Sequence, residues 1–142
     1  MDGILSYVID ALYSLPGILV GLSFHEWGHA YAAYKRGDPT ARNLGRMTVN
    51  PLAHIDPLGF LSLLILGFGW AKPVPVSTRN FKSPRKDELI VSLAGIIVNL
   101  ILGVVFMIIW IVLICLPWSN EILNTMVQYC YTINFGLAVF NL

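Results

Sequence analysis

Between Leu89 and Asn120 the chain carries no Asp, Glu, Lys or Arg. At ~1.5 Å per residue a helix over that stretch exceeds the ~30 Å hydrocarbon core of a bilayer, so the spacing predicts a tilted spanning helix ending near Pro117. From Gly3 to Tyr34 the only acidic, basic or histidine side chains are Asp10, His25, Glu26 and His29. From Ile122 to Leu142 there is none of these, over about one membrane thickness. Only 12% of residues are charged, against about 25% in soluble domains. The expected fold class is therefore an all-α membrane protein, a single embedded unit over residues 1–142 built as a bundle of about three to four transmembrane helices.

The net charge of +1 speaks against nucleic acid as a partner. Every Lys and Arg lies between Lys35 and Lys86, which places the loops of that region on the cytoplasmic side of the membrane. No basic n-region precedes the first apolar stretch, so it reads as a retained helix and not as a cleaved signal. Cys115 and Cys130 lack metal-type spacing and read as free packed thiols.

Pro16 is expected to divide the first apolar block into a short leading piece and a main helix from about Leu15 to Arg36, with Gly37 as its stop. Residues 37–57 read as a loop with a short strand at Arg46 to Val49. The apolar run from Leu58 to Ala71 has 14 residues, too few to cross comfortably, and basic loops flank it on both sides. A re-entrant or half-inserted segment fits, as does a tight helical pair. In KPVPVSTRNFKSPRK, Pro73 and Pro75 exclude a helix interior and permit an extended edge at Val74, Pro75, Val76 and Ser77, or simply a stiff loop.

The chemistry concentrates in FHEWGHAYAAYKR, residues 24–36. His25 and His29 project from one helical face a turn apart, as two imidazoles must to hold one zinc ion. Glu26, rotated by about 100°, can reach a zinc-polarised water without being a ligand, so HExxH reads as two ligands and a general base. Ionisable groups at membrane depth are costly and usually functional. A helical rise from His25 to Lys35 is about 15 Å, which sets the site inside the membrane nearer the cytoplasmic face, and a water-filled polar cavity is implied. Gly17, Gly21, His25, Gly28 and Ala32 form one small-residue stripe, and Ser92, Gly95, Asn99 and Gly103 offer a matching one. Asn99 serves either an interhelical hydrogen bond or the substrate.

These residues resemble the site-2 protease family of intramembrane zinc metalloproteases, in its small bacterial and archaeal form. FHEWGHAYAAYKRGDPTA is similar to that family's active-site helix and its exit, LGRMTVNPLAHIDPLG and GFGWAKPVPV to its connecting loop and following strand, and SLAGIIVNL to its third-helix motif. The resemblance implies an integral protein of a bacterial or archaeal plasma membrane, one zinc ion on His25 and His29, Glu26 as general base, and Asn99 at the substrate or its oxyanion. It further implies membrane-spanning segments as substrates, received by strand addition along Val74 to Ser77. Two departures stand out: Ile96 follows Gly95 where the family usually has proline, and the sequence stops at Leu142, before the point at which the family carries its third ligand, an aspartate after a segment like AVFNL. The expectation is a core incomplete at its C-terminal end, with His54 and Asp56 as substitute ligands to be tested. The alternatives are a catalytically impaired or non-catalytic membrane adaptor, because the third ligand is absent from this sequence, and a metal or proton conduit.

Overall fold

The computed structural model describes residues 2–67, 69–117 and 120–142. Three long helices, α1 (Asp2–Arg36), α4 (Pro84–Ile114) and α5 (Glu121–Phe140), each pack against the other two. Between α1 and α4 the chain forms the short helices α2 (Thr40–Asn43) and α3 (Pro57–Leu66). The helical class expected from composition is what the chain adopts, and among the described residues there is no strand ladder, only an isolated antiparallel bridge between Ile55 and Ala71.

Pro16 does not divide α1, contrary to the two-piece expectation; the helix runs unbroken through it. Proline removes one backbone hydrogen bond, and long helical flanks packed on α4 and α5 carry the turn across that gap. Lys35 and Arg36 occupy the last turn, complementing the helix dipole, and Gly37 at φ 108° ends it. The helix α4 starts ahead of its apolar run because Pro84 suits a first turn and the Asp87 carboxylate accepts the Ser83 N–H at 2.8 Å. Asn120 caps α5 by accepting from the N–H groups of Ile122 and Leu123.

Two helices are long and apolar enough to cross a membrane: Leu5–Arg36, with mean hydropathy 1.6, and Pro84–Ile114, with mean hydropathy 3.1. Only 11% and 17% of their most apolar windows are buried within the molecule, whereas the core helix of a soluble domain is mostly buried. Ile97, Ile101, Ile108 and Val112 on α4 face outward.

The segment from Leu58 to Ala71 leaves and returns to the same place. Asp56 caps α3 by accepting the Gly59 N–H at 2.8 Å, and Gly67 ends it at φ 77°. The return strip then lies on the helix so closely that a Cβ on Gly59 would fall 2.2 Å from the Trp70 carbonyl oxygen. With Ile55 bridged to Ala71 and the Lys72 N–H donating to His54 O at 2.8 Å, the two ends sit side by side. Among the described residues the excursion is a single helix with an extended return, not a helical pair.

The strand expected at Arg46 to Val49 is absent. Its backbone closes local turns instead, with the Arg46 N–H on Ala41 O at 2.8 Å and the Asn50 N–H on Thr48 Oγ1 at 3.1 Å. The Arg46 side chain donates to the Lys72 carbonyl at 2.8 Å, tying this loop to the strip before Val74.

Candidate functional site

His25 and His29 meet α4 along one of its faces. His25 Nδ1 lies 2.6 Å from Asn99 Oδ1, and His29 Nδ1 lies 2.7 Å from the Val91 carbonyl oxygen. The two Nε2 atoms point at each other across 3.0 Å. Between Val91 and Asn99 comes Gly95, against which both rings rest: a Cβ there would be 2.6 Å from His29 Nε2 and 2.7 Å from His25 Cε1. Three positions spaced by four on α4 thus supply a carbonyl, a gap and an amide.

A carbonyl only accepts, so a neutral His29 carries its proton on Nδ1 and leaves Nε2 bare. If His25 is likewise protonated at Nδ1 toward Asn99 Oδ1, two lone pairs face each other with no proton between them. That is unfavourable unless a cation is shared. Zinc ligands at ~2.0–2.1 Å in tetrahedral array sit about 3.3 Å apart, close to the spacing present, and histidine ligands ordinarily use the other ring nitrogen for an orienting bond. The donor set therefore fits zinc. Among the described residues no group of three or more His, Cys, Asp or Glu is arranged to hold a metal.

Glu26 is buried and accepts the Val74 N–H on Oε2 at 2.7 Å, leaving Oε1 without a partner among the described residues. His25, Glu26 and His29 line one cleft with Pro73, Val74 and Val76, the polar opening that water requires. Val74 packs with Ala30 and Ala41, and burying a side chain of this size contributes about 1.5–3 kcal/mol, which holds the strip against α1.

The expected edge from Val74 to Ser77 is extended but unpaired, anchored at both ends to acids of the α1 region. At the far end the Ser77 N–H donates to Asp38 Oδ2 at 2.7 Å. Asp38, 1% exposed, also accepts from the Thr40 hydroxyl, the Thr40 N–H and the Asn80 amide. Burial pushes its carboxyl up, but the bonds from Thr40, Ser77 and Asn80 outweigh that, and the group lies below the ordinary value of 3.8. A depressed pKa contributes stability that is complete above the ordinary value and lost as pH falls through the folded one. The protection of the Ser77 amide, taken relative to its intrinsic exchange at each pH, should accordingly hold from neutral pH to about pH 4 and fall below it, while Asp38→Asn should be less protected at neutral pH. Equal protection in wild type and variant would refute the anchor.

Asn99 is fully buried, and its amide is occupied: beside the His25 contact, Nδ2 donates to Gly21 O at 3.2 Å and to Asn134 Oδ1 at 3.0 Å. His54 and Asp56 stand away from the histidine cleft; His54 Nε2 lies 2.7 Å from Thr48 O, and Asp56 caps α3. Both line a separate apolar cavity of about 150 Å³ with Leu19, Leu22, Trp70 and Leu137. The small-residue stripe is shared between two neighbours: Gly17 and Gly21 lie on Cys130 and Asn134 of α5, and Gly28 lies on Ala94 and Val98 of α4. Sequence reasoning missed Asp38 and Asn134. Asn134 is one of several polar side chains in the final helix, beside Asn124 and Gln128, and the sequence alone does not single it out. Cys115 and Cys130 are free thiols, as expected.

No protein-family model matches the chain. It is 47% identical over 104 residues to YwhC of Bacillus subtilis (strain 168), a protein named as a candidate zinc metalloprotease, with 72% of this chain and 48% of that protein covered. It is 34% identical over 108 residues to Rip2 of Mycolicibacterium smegmatis, named in the same way, with 72% of this chain and 41% of that protein covered. The Rip2 of Mycobacterium tuberculosis is 34% identical over 109 residues, with the same coverage of 72% and 41%. The chain spans less than half the length of each of these relatives. Their names support a zinc metalloprotease family. No solved structure matches.

Proposed function

We propose that this chain forms the catalytic core of a membrane-embedded zinc endopeptidase of the site-2 type, which hydrolyses peptide bonds in membrane-spanning segments. The observation that carries the reading is the pair of imidazole Nε2 atoms 3.0 Å apart, each backed at Nδ1 by an acceptor, beside a buried carboxylate in an open cleft. Names of the relatives point the same way. Membrane embedding is supported by the long apolar surfaces of α1 and α4, and the grouping of Lys and Arg between Lys35 and Lys86 favours a cytoplasmic position for the loops they occupy.

His25 and His29 would hold the ion, supplying two of the three protein ligands a catalytic zinc ordinarily has. When bound, zinc polarises the scissile carbonyl and lowers the pKa of water. Glu26 keeps one oxygen on the Val74 N–H and has the other free to receive the proton of the attacking water. A spanning helix hides its carbonyls, so the substrate must be extended to be cut. The strip from Val74 to Ser77 can add it as a strand, since among the described residues the Val76 N–H has no partner and Val76 is exposed. The oxyanion role expected of Asn99 needs a free donor, and both of its N–H groups are engaged by Gly21 and Asn134.

Metal analysis of the purified protein is the direct test. Zinc should be retained by the wild type and lost in His25→Ala and His29→Ala, with cleavage of a membrane-spanning reporter lost in parallel. A non-catalytic adaptor would instead keep its cellular activity in both variants, and a conduit would pass metal into vesicles; either result overturns the protease reading.

A further inference from the structure

The hydrogen bonds behind His25 run in one direction only, and that direction is set on a helix remote from the cleft. Asn134 on α5 is fully buried, and its Nδ2 lies 2.8 Å from the Cys130 carbonyl oxygen. A carbonyl cannot donate, so the nitrogen of Asn134 must face Cys130 and its Oδ1 must face Asn99. The Asn99 atom meeting that oxygen is then its nitrogen, which also meets the Gly21 carbonyl. Two acceptors of different origin thus fix the same orientation of Asn99 and turn its Oδ1 toward His25 Nδ1 at 2.6 Å. The proton of a neutral His25 is forced onto Nδ1, and Nε2 is left bare on the side of His29.

We infer that Asn134 is a positioning residue which, through Asn99, locks His25 in the Nδ1–H tautomer and so prepares its Nε2 for the metal. This deepens the reading of the site as a zinc centre and rests on it only for the identity of the ion. The side chain of Asn99 is engaged by His25, Gly21 and Asn134, and that of Asn134 by Asn99 and Cys130; their work is to orient a ring. Were Asn134 an ordinary packing residue, an apolar side chain of like size would serve as well. In a hydrocarbon setting such a replacement strands an Asn99 N–H and leaves the Gly21 carbonyl alone to fix the amide, so Asn99 turns over at less cost and offers His25 a donor in place of an acceptor for part of the time.

The test uses ¹⁵N-imidazole NMR on the zinc-free protein together with zinc titration against a competing chelator, in wild type, Asn134→Leu, Asn134→Asp and the control Thr132→Val on the same helix. Wild type should report His25 protonated at Nδ1 and bare at Nε2. Asn134→Leu should give a mixed tautomer at His25 with His29 unchanged, and about 10–100-fold weaker zinc, the range usual for loss of an orienting partner. Thr132→Val should match wild type in both. Asn134→Asp keeps the acceptor toward Asn99 and should retain more of the Nδ1–H form than Asn134→Leu, so a folding failure in one variant leaves the other informative. A wild-type His25 found protonated at Nε2, or zinc affinity in Asn134→Leu within twofold of wild type, overturns the inference. If the tautomer shifts as expected but the wild type binds no zinc, the relay stands and the metal reading falls; if zinc binds and Asn134→Leu changes nothing, the reverse holds.

Discussion

Replacing Glu26 by Gln is expected to lower cleavage of a membrane-spanning substrate by roughly a hundred- to ten-thousand-fold, the usual contribution of a positioned general base, while leaving the fold and the bound zinc unchanged. The reasoning is atomic. A glutamine oxygen can still accept the Val74 N–H that now meets Oε2 at 2.7 Å, so the strip keeps its anchor. The amide nitrogen that replaces the other oxygen has no lone pair to take a proton from water. Cleavage assays paired with metal analysis check the outcome. Full activity in Glu26→Gln would remove the base from its role, and loss of zinc would mean that Glu26 belongs to the metal and not to the water.

The second large effect is expected at Gly95. An alanine there places Cβ 2.6 Å from His29 Nε2, 2.7 Å from His25 Cε1 and 2.8 Å from His25 Nδ1, all inside van der Waals contact. The rings cannot retreat freely, because each is held at Nδ1, one by Asn99 and the other by the Val91 carbonyl. Zinc affinity in Gly95→Ala should fall by at least about 10–100-fold. Helix propensity argues the opposite way for stability, since alanine in a helix interior is favoured over glycine by about 0.5–1 kcal/mol. Overpacking costs about 1–3 kcal/mol and exceeds that gain, so the expected signature is a protein that melts somewhat earlier than wild type and binds zinc poorly. A Gly95→Ala protein with wild-type affinity would show that the contact between ring and backbone is looser than described.

The contrast between His25 and Gly95 explains how far the sequence could be read. The histidines and Glu26 lie within one turn of one helix, so their mutual geometry follows from helical spacing alone. The same holds for the long helices, whose apolar runs are continuous, and for the extended strip, which Pro73 and Pro75 keep out of a helix. What Gly95 does depends on which turn of α4 faces α1, and no local pattern encodes that register. Asp38 likewise reads as an ordinary turn residue until Ser77 and Asn80, far along the chain, are found on its carboxylate. Pro16 misled in the other direction: a local rule for ending helices yielded to packing along the whole length of α1. The bend of the 58–71 segment was foreseen from length and charge, but its tightness rests on Gly59 and Gly69, which bring backbone against backbone.

The amide of Asn99 also acts as an index mark for the assembly of the bundle. It belongs to α4 and is bonded at once to His25 and the Gly21 carbonyl of α1 and to Asn134 of α5. Apolar flanks slide past one another with little preference, whereas displacing any of these helices by a single turn, ~5.4 Å, would strip this cluster in a place where no solvent could replace it. Axial alignment of all three helices is thereby tied to one side chain, and the chemistry of the first helix is inseparable from the seating of the last.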